Sequence, residues 1–261
     1  VEPSDGARFT LRASTSRQNP RNYGIYAQPE AINRPGLGKW EIAANIDQRR
    51  RARTWSVALT SEFDVADTLT LTSITSWDKG KLSFYEDTDG TATELLEIPY
   101  YDKASQFAQD LRLTSNTGGP FDFILGAYFN REKVFNTSTF EIAKDVDSDG
   151  LPGITGNDCA VGLPLACLFN NEFTQIKKSY ALYTDLKYEV SDAFTLRGGL
   201  RYTKDKGVQK DFIANAYGVD GSLIATLIPL SRLNYSTDNL SGKIGFRSEE
   251  RRVGKECRSR W

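Results

Sequence analysis

The chain contains no histidine and no methionine among its 261 residues, and only three cysteines. Without histidine there is no Ser–His–Asp triad and no histidine metal site. Ser and Asp are abundant, but nothing gathers them around a nucleophile, so the chain is not read as an enzyme and no cofactor is implied. A run of about 18 apolar residues is also missing, which excludes a membrane-spanning helix. It does not exclude a membrane-spanning barrel, whose strands turn half their residues to a polar lumen and so average out in any hydropathy window. Position 1 is Val1, and no charged, apolar and small-residue leader precedes the first strand-like stretch. The expectation is an internal piece of a longer protein. Basic excess is absent too: 33 Lys/Arg stand against 34 Asp/Glu, so no patch for nucleic acid can be argued from charge.

What is present is alternation. Hydrophobic residues make up 39% and charged residues 26%, which excludes disorder, and the length suits one large β domain. The organising stretch is Ala104 to Phe129. Phe107, Leu111 and Leu113 share one face, with Gln109 among them, against Gln106, Asp110, Arg112 and Thr114. Asn116-Thr117-Gly118-Gly119-Pro120 supplies a turn, after which Phe121, Phe123, Leu125, Ala127 and Phe129 alternate with Asp122, Gly126, Tyr128 and Asn130.

The same pattern recurs along the chain. Ala7, Phe9, Leu11 and Ala13 share a face, as do Trp55, Val57, Leu59 and Phe63, then Leu69, Leu71 and Trp77. Farther on come Tyr180, Leu182, Leu186, Tyr188 and Val190, then Phe194, Leu196, Gly198, Leu200 and Tyr202; Leu240, Ile244 and Phe246 open a last strand. Roughly eight strands result. Short turns at 64–67, 116–120 and 191–193 alternate with long connections at 14–48, 86–102, 134–173 and 204–235. Soluble sandwiches give no reason for that alternation, whereas a barrel with short periplasmic turns and long outer loops does. Mid-strand charges such as Asp110, Arg112, Arg197 and Arg201 suit a watered lumen better than a dry core. The apolar faces also begin and end in aromatics, as Tyr180 and Tyr188 show, which suits belts at two lipid–water boundaries. A passive porin-like or structural barrel and a soluble β-sandwich binding module remain the alternatives.

Three segments, SQFAQDLRLTSNTGGPFDFILGAYFNREK, KKSYALYTDLKYEVSDAFTLRGGLRYTKDK and NLSGKIGF, resemble the barrel strands of TonB-dependent outer-membrane receptors of the siderophore type. The likeness runs from about Ala7 to Phe246. It implies an antiparallel transmembrane barrel fragment over residues 1–246, from a receptor of about 22 strands with a plug in its lumen. Neither a plug nor a segment for the TonB complex is recognisable here. The resemblance further implies a cell outer membrane location in a Gram-negative bacterium. The implied partners are outer-membrane lipid, the TonB complex through the missing plug region, and a siderophore or similar ligand taken up by the full-length protein.

Residues 247–261, RSEERRVGKECRSRW, resemble the translation of a sequencing-library adapter and are read as non-native; a basic disordered tail is the alternative. Without its six Lys/Arg and three Asp/Glu, 27 basic and 31 acidic residues remain.

Asp145, Asp147, Asp149 and Gly150 match the first half of a calcium loop, but Gly156 stands where a bidentate Glu is needed, so a solvated acidic turn is the competing reading. Cys159 and Cys167 share one long loop. If that loop passes an oxidising compartment, a local disulfide follows, with free thiols as the alternative; Cys257 lies in the tail without a partner. Tyr23, Tyr26 and Trp40 in the first loop, and Tyr100 and Tyr101 in the second, are the aromatics that could stack on a large ligand; ordinary loop packing is the preferred reading of them.

Overall fold

In the computed structural model the described residues are 5–20, 25, 36–38, 41–92, 94–142, 168–218 and 220–248. They form eight strands: β1 (Ala7–Gln18), β2 (Arg50–Ala66), β3 (Leu69–Asp87), β4 (Leu96–Ser115), β5 (Phe121–Ile142), β6 (Leu168–Ser191), β7 (Phe194–Tyr217) and β8 (Leu223–Ser248). All belong to one antiparallel sheet in the order β1 to β8, each strand beside its sequence neighbours. Among the described residues no strand packs against any but its ladder neighbours, so there is no second layer and no sealed core between sheets. That overturns the sandwich alternative, which needs two apolar faces pressed together.

Register follows from the alternation, since a slip by one residue would turn every apolar side chain to the polar face. One row runs Leu11, Leu59, Thr75, Gln109, Phe129 and Tyr180 across β1 to β6. Directly opposed residues in a ladder share a face, so Gln109 stands beside Thr75 in a row whose other members are apolar or aromatic. It settles there by hydrogen-bonding within it: Thr75 Oγ1 donates to Gln109 Oε1 at 2.6 Å, and Gln109 Nε2 donates to Ser73 Oγ at 2.8 Å.

The strands are longer than their patterns suggest. β3 and β4 shorten the expected 86–102 loop to 88–95. The expected 204–235 loop is instead the outer half of β7 and β8, joined by the turn at 218–222. β5 and β6 likewise extend to Ile142 and from Leu168. Alternation fades in these extensions because neither face there needs to be apolar, while the ladder hydrogen bonds continue regardless of side chain. β8 runs two residues past Phe246, with Arg247 and Ser248 opposite Thr195 and Phe194. The remaining residues read as adapter, 249–261, lie outside the described residues.

Candidate functional site

The two faces of the sheet differ in kind. On the apolar face, large side chains stay open at the surface: Leu182 is 65% exposed, Leu240 65% and Ile244 90%. Aromatics border this zone on both sides. Near the short turns, Phe121, Tyr188, Leu196 and Phe246 form one cross-strand row. Toward the other end, Trp77 packs on Trp55 at 5.3 Å, and Phe129 contacts Phe107 at 6.3 Å and Tyr180 at 5.2 Å. Phe121 and Phe129 lie eight positions apart on β5, about 27 Å of strand. The apolar band of an outer-membrane barrel has that scale, about 25 Å.

Just beyond the second aromatic row the same face turns basic. Arg53, Lys81 and Lys103 are directly opposed across β2, β3 and β4. Lys79 Nζ lies 4.4 Å from the Trp77 ring centroid, and Lys103 Nζ 5.0 Å from that of Tyr101. Both ammonium groups thus lie over aromatic faces at the edge of the apolar zone.

The opposite face is a charged, hydrogen-bonded surface. Tyr183 on β6 reaches across β5 and donates its hydroxyl proton to Asp110 Oδ1 on β4 at 2.8 Å. The crossing works because Gly126 lies beneath the ring, where a Cβ would collide with it. Gly207 makes the same room for Tyr235 between β7 and β8. Arg112 Nε approaches Asp110 Oδ1 at 3.4 Å, and the Arg201 guanidinium sits over the rings of Tyr128 and Tyr183 at 5.6 and 5.5 Å. Lys243 pairs with Asp185 on the same face. Lys187 bridges Asp122 at 3.6 Å and Glu189 at 2.6 Å. These partly wet pairs bring charges of both signs into mid-strand without sealing them from water, and they present no activated nucleophile.

The candidate ligand aromatics fare differently. Tyr100 and Tyr101 lie within β4 rather than in a loop, so as neighbours on a strand they point to opposite faces. Tyr100 stacks on Phe84, centroids 5.9 Å apart, on the polar face. Tyr101 stands on the other face beside Lys103, which corrects the expectation that the two lie in a loop. Tyr23, Tyr26, Trp40, Asp145, Asp147, Asp149, Cys159 and Cys167 lie outside the described residues.

One cluster escaped the sequence reading, which took 86–102 as an acidic loop. Asp87 ends β3 and Glu97 stands directly opposite it on β4; both are completely buried. They lie about 33 Å of strand beyond the Trp77 level, far outside the apolar band. Asn45 Nδ2 donates to Glu97 Oε1 at 2.7 Å, and the Gly90 amide donates to Asp87 Oδ1 at 2.8 Å. Asp89 holds the turn, accepting from the Thr91 and Leu96 amides at 2.8 Å each. Burial pushes the Glu97 carboxyl up to about 7 against the pull of Asn45, with Asp89, Glu94 and Asp87 pushing the same way. Asp87 is raised as well, again mainly by burial.

A raised acid binds more protons folded than unfolded, so stability is present at low pH and falls as pH rises from 4.5 to about 7. In buffer free of divalent cations, hydrogen exchange of the 88–96 amides, corrected for intrinsic rates, should show local stability falling across that window. Glu97→Gln should abolish most of that loss, on the order of 1–3 kcal/mol. An identical pH profile in the variant would refute the assignment.

An open run of sequence-adjacent antiparallel strands, apolar on one side between aromatic rows and charged on the other, defines a wall segment of an outer-membrane-type β-barrel. A family sequence model described as TonB dependent receptor-like, beta-barrel, matches residues 3–249, and the chain belongs to that family. Barrels of this family are outer-membrane proteins of Gram-negative bacteria that serve receptors and transporters rather than enzymes. Among solved structures, the ferric yersiniabactin uptake receptor FyuA from Yersinia pestis superimposes with TM-score 0.67 at 16% identity, covering 92% of this chain and 32% of its own. The ferric citrate transporter FecA gives 0.63 at 11% identity, covering 95% of this chain and 32% of its own. The siderophore receptor PiuA from Acinetobacter baumannii gives 0.61 at 16%, covering 92% and 37%. The chain therefore spans about a third of the length of these receptors, and at such identities the likeness is one of fold. No curated protein matches it.

Proposed function

We propose that this chain is part of the barrel wall of an outer-membrane receptor that takes up iron–siderophore complexes or another large nutrient, energised through TonB. The observation that carries the reading is the family match together with an exposed apolar band bounded by aromatic rows. The likeness in fold to receptors for ferric yersiniabactin and ferric citrate favours iron chelates as the ligand class.

In this reading the turns at 67–68, 116–120 and 192–193 face the periplasm. The apolar face meets lipid and the Asp110–Tyr183–Arg201 surface faces the lumen. β6 and β7, each 24 residues, are about 80 Å long, more than twice what the lipid band needs, so their outer halves stand above the membrane. The row of Arg53, Lys81 and Lys103 then falls at the outer headgroup level, where anionic lipid would be held. Tyr100, on the lumenal face, remains a candidate ligand contact, with Tyr23, Tyr26 and Trp40 in the first outer connection. A Cys159–Cys167 disulfide would stiffen the loop they share, and thiol counting with and without reductant tests it. An Asp145–Asp147–Asp149 calcium loop is tested by a calcium titration of the isolated loop peptide.

The function is tested by uptake of radiolabelled ferric siderophores into iron-starved cells. Deleting the gene should abolish accumulation of one chelate class, and loss of TonB should do the same. Uptake that persists without TonB and extends to small unrelated solutes would instead identify a passive pore.

A further inference from the structure

Asp87 and Glu97 form a cross-strand pair of like charge, an arrangement that destabilises a ladder unless something compensates. Both side chains are completely shielded from solvent, and each leaves one carboxylate oxygen, Asp87 Oδ2 and Glu97 Oε2, without a hydrogen-bond partner. Each carboxylate's other oxygen is already held, by the Gly90 amide and by Asn45 Nδ2. One oxygen from each of Asp87, Asp89 and Glu97 lies within 4.8 Å of the others. Oxygens around a single ion at about 2.4 Å can be no farther apart than twice that distance, so the three fit one coordination sphere.

A second observation points the same way. Gln48, from the segment before β2, is only 3% exposed, yet neither its Oε1 nor its Nε2 completes a hydrogen bond. Its side chain reaches Asp87, where it offsets a small part of the upward push that burial gives that carboxyl. Asn45 Oδ1 is likewise shielded and unpaired, while the Asn45 side chain is tied to Glu97. Buried polar atoms are almost always satisfied, so unpaired oxygens converging from three segments indicate a missing partner. A cation satisfies several at once and reverses the sign of the repulsion.

We propose that Asp87, Asp89 and Glu97, joined by the amide oxygens of Asn45 and Gln48, form a calcium site. It would pin the segment before β2 to the outer end of the β3–β4 hairpin. The ligands are all hard oxygens, with neither sulfur nor imidazole among them, which favours calcium over zinc or copper. Magnesium fits less well, because it demands a near-ideal octahedron and sheds its waters reluctantly. The site is independent of the uptake reading, since every ligand comes from one hairpin and the segment beside it. It is also distinct from the Asp145–Asp149 loop.

The test uses the whole receptor that carries this chain, in detergent micelles, with the circular dichroism β-signal matched between variants. Hydrogen exchange of 88–97 and 41–50 is read with chelator, with millimolar calcium chloride, and with sodium chloride at equal ionic strength. Calcium should slow exchange in both segments at least tenfold, with a Kd of about 10⁻⁴–10⁻³ M or tighter. Asp87→Asn and Gln48→Ala should each weaken that response at least tenfold, while Asp238→Asn, on distant β8, should leave it unchanged. The proposal is overturned if sodium protects as well as calcium, if calcium changes nothing in these segments, or if the response survives Asp87→Asn.

Discussion

Leu182→Arg should prevent stable assembly of the barrel in membranes, whereas Ser179→Arg, three residues earlier on the same strand, should not. Leu182 stands on the apolar face two positions inside the Phe129–Tyr180 row, flanked by Ala127 on β5 and Tyr202 on β7. Its 65% exposure would be a liability in water but is ordinary against lipid. A guanidinium costs about 2–4 kcal/mol at the bilayer midplane of such a wall and less toward the interfaces, so a loss of about 1–3 kcal/mol is expected at the depth of Leu182. Ser179 lies on the charged face, opposite Asn130 and Asp205, where an added cation meets water and a carboxylate. Its replacement should change stability by no more than about 0.5 kcal/mol. Heat-modifiable migration of the membrane fraction, with urea unfolding in lipid vesicles, reads both. The two variants separate the environments because each adds the same group to the same strand. If the exposed leucines instead faced water, Leu182→Arg would improve solubility and Ser179→Arg would be the more harmful. That reversal would remove the membrane assignment of this face.

Gly126→Ala should destabilise the wall although alanine is the better strand residue. Gly126 lies beneath the Tyr183 ring on the charged face, and even a methyl group there collides with the ring carbons. The ring cannot withdraw without giving up its 2.8 Å hydrogen bond to Asp110 and its place under Arg201. Overpacking and the loss of a bond to a charged acceptor each amount to about 1–3 kcal/mol, so a net loss of about 2–3 kcal/mol is expected. In a Tyr183→Ala background the ring that the methyl group collides with is gone. There it should be neutral or stabilise by up to about 1 kcal/mol, because glycine carries the larger entropy of the unfolded chain. The double-mutant cycle in urea thus changes sign. An equal effect of Gly126→Ala in both backgrounds would show that the tyrosine does not cross over this glycine.

Much of the wall was legible before any coordinates. The hairpin from Ala104 to Phe129, the turns at 116–120 and near 192, and the strand count all follow from period-two alternation. Alternation is strong wherever one face meets lipid and the other meets charge. Where neither face is required to be apolar the signal vanishes, which is why 204–217 and 223–235 read as loop yet form the long outer halves of β7 and β8. Tyr100 and Tyr101 read as loop residues for the same reason, whereas in a strand they part to opposite faces. The acidic cluster had a faint signature in Asp87-Thr88-Asp89-Gly90, a pair of carboxylates ahead of a glycine at the bend. Nothing along the chain showed that Glu97 would stand opposite Asp87.

The amino-acid order by itself determined that strands form, which side of each is apolar, and the family to which the chain belongs, because these rest on local periodicity and short motifs. Only the tertiary structure decided which side chains meet across strands. Tyr183 reaches Asp110 from 73 positions away, and Asn45 reaches Glu97 across 52. Such contacts depend on how far each ladder runs and which residues it pairs; alternation fixes only which face each side chain takes, because a slip by two residues would leave every face unchanged.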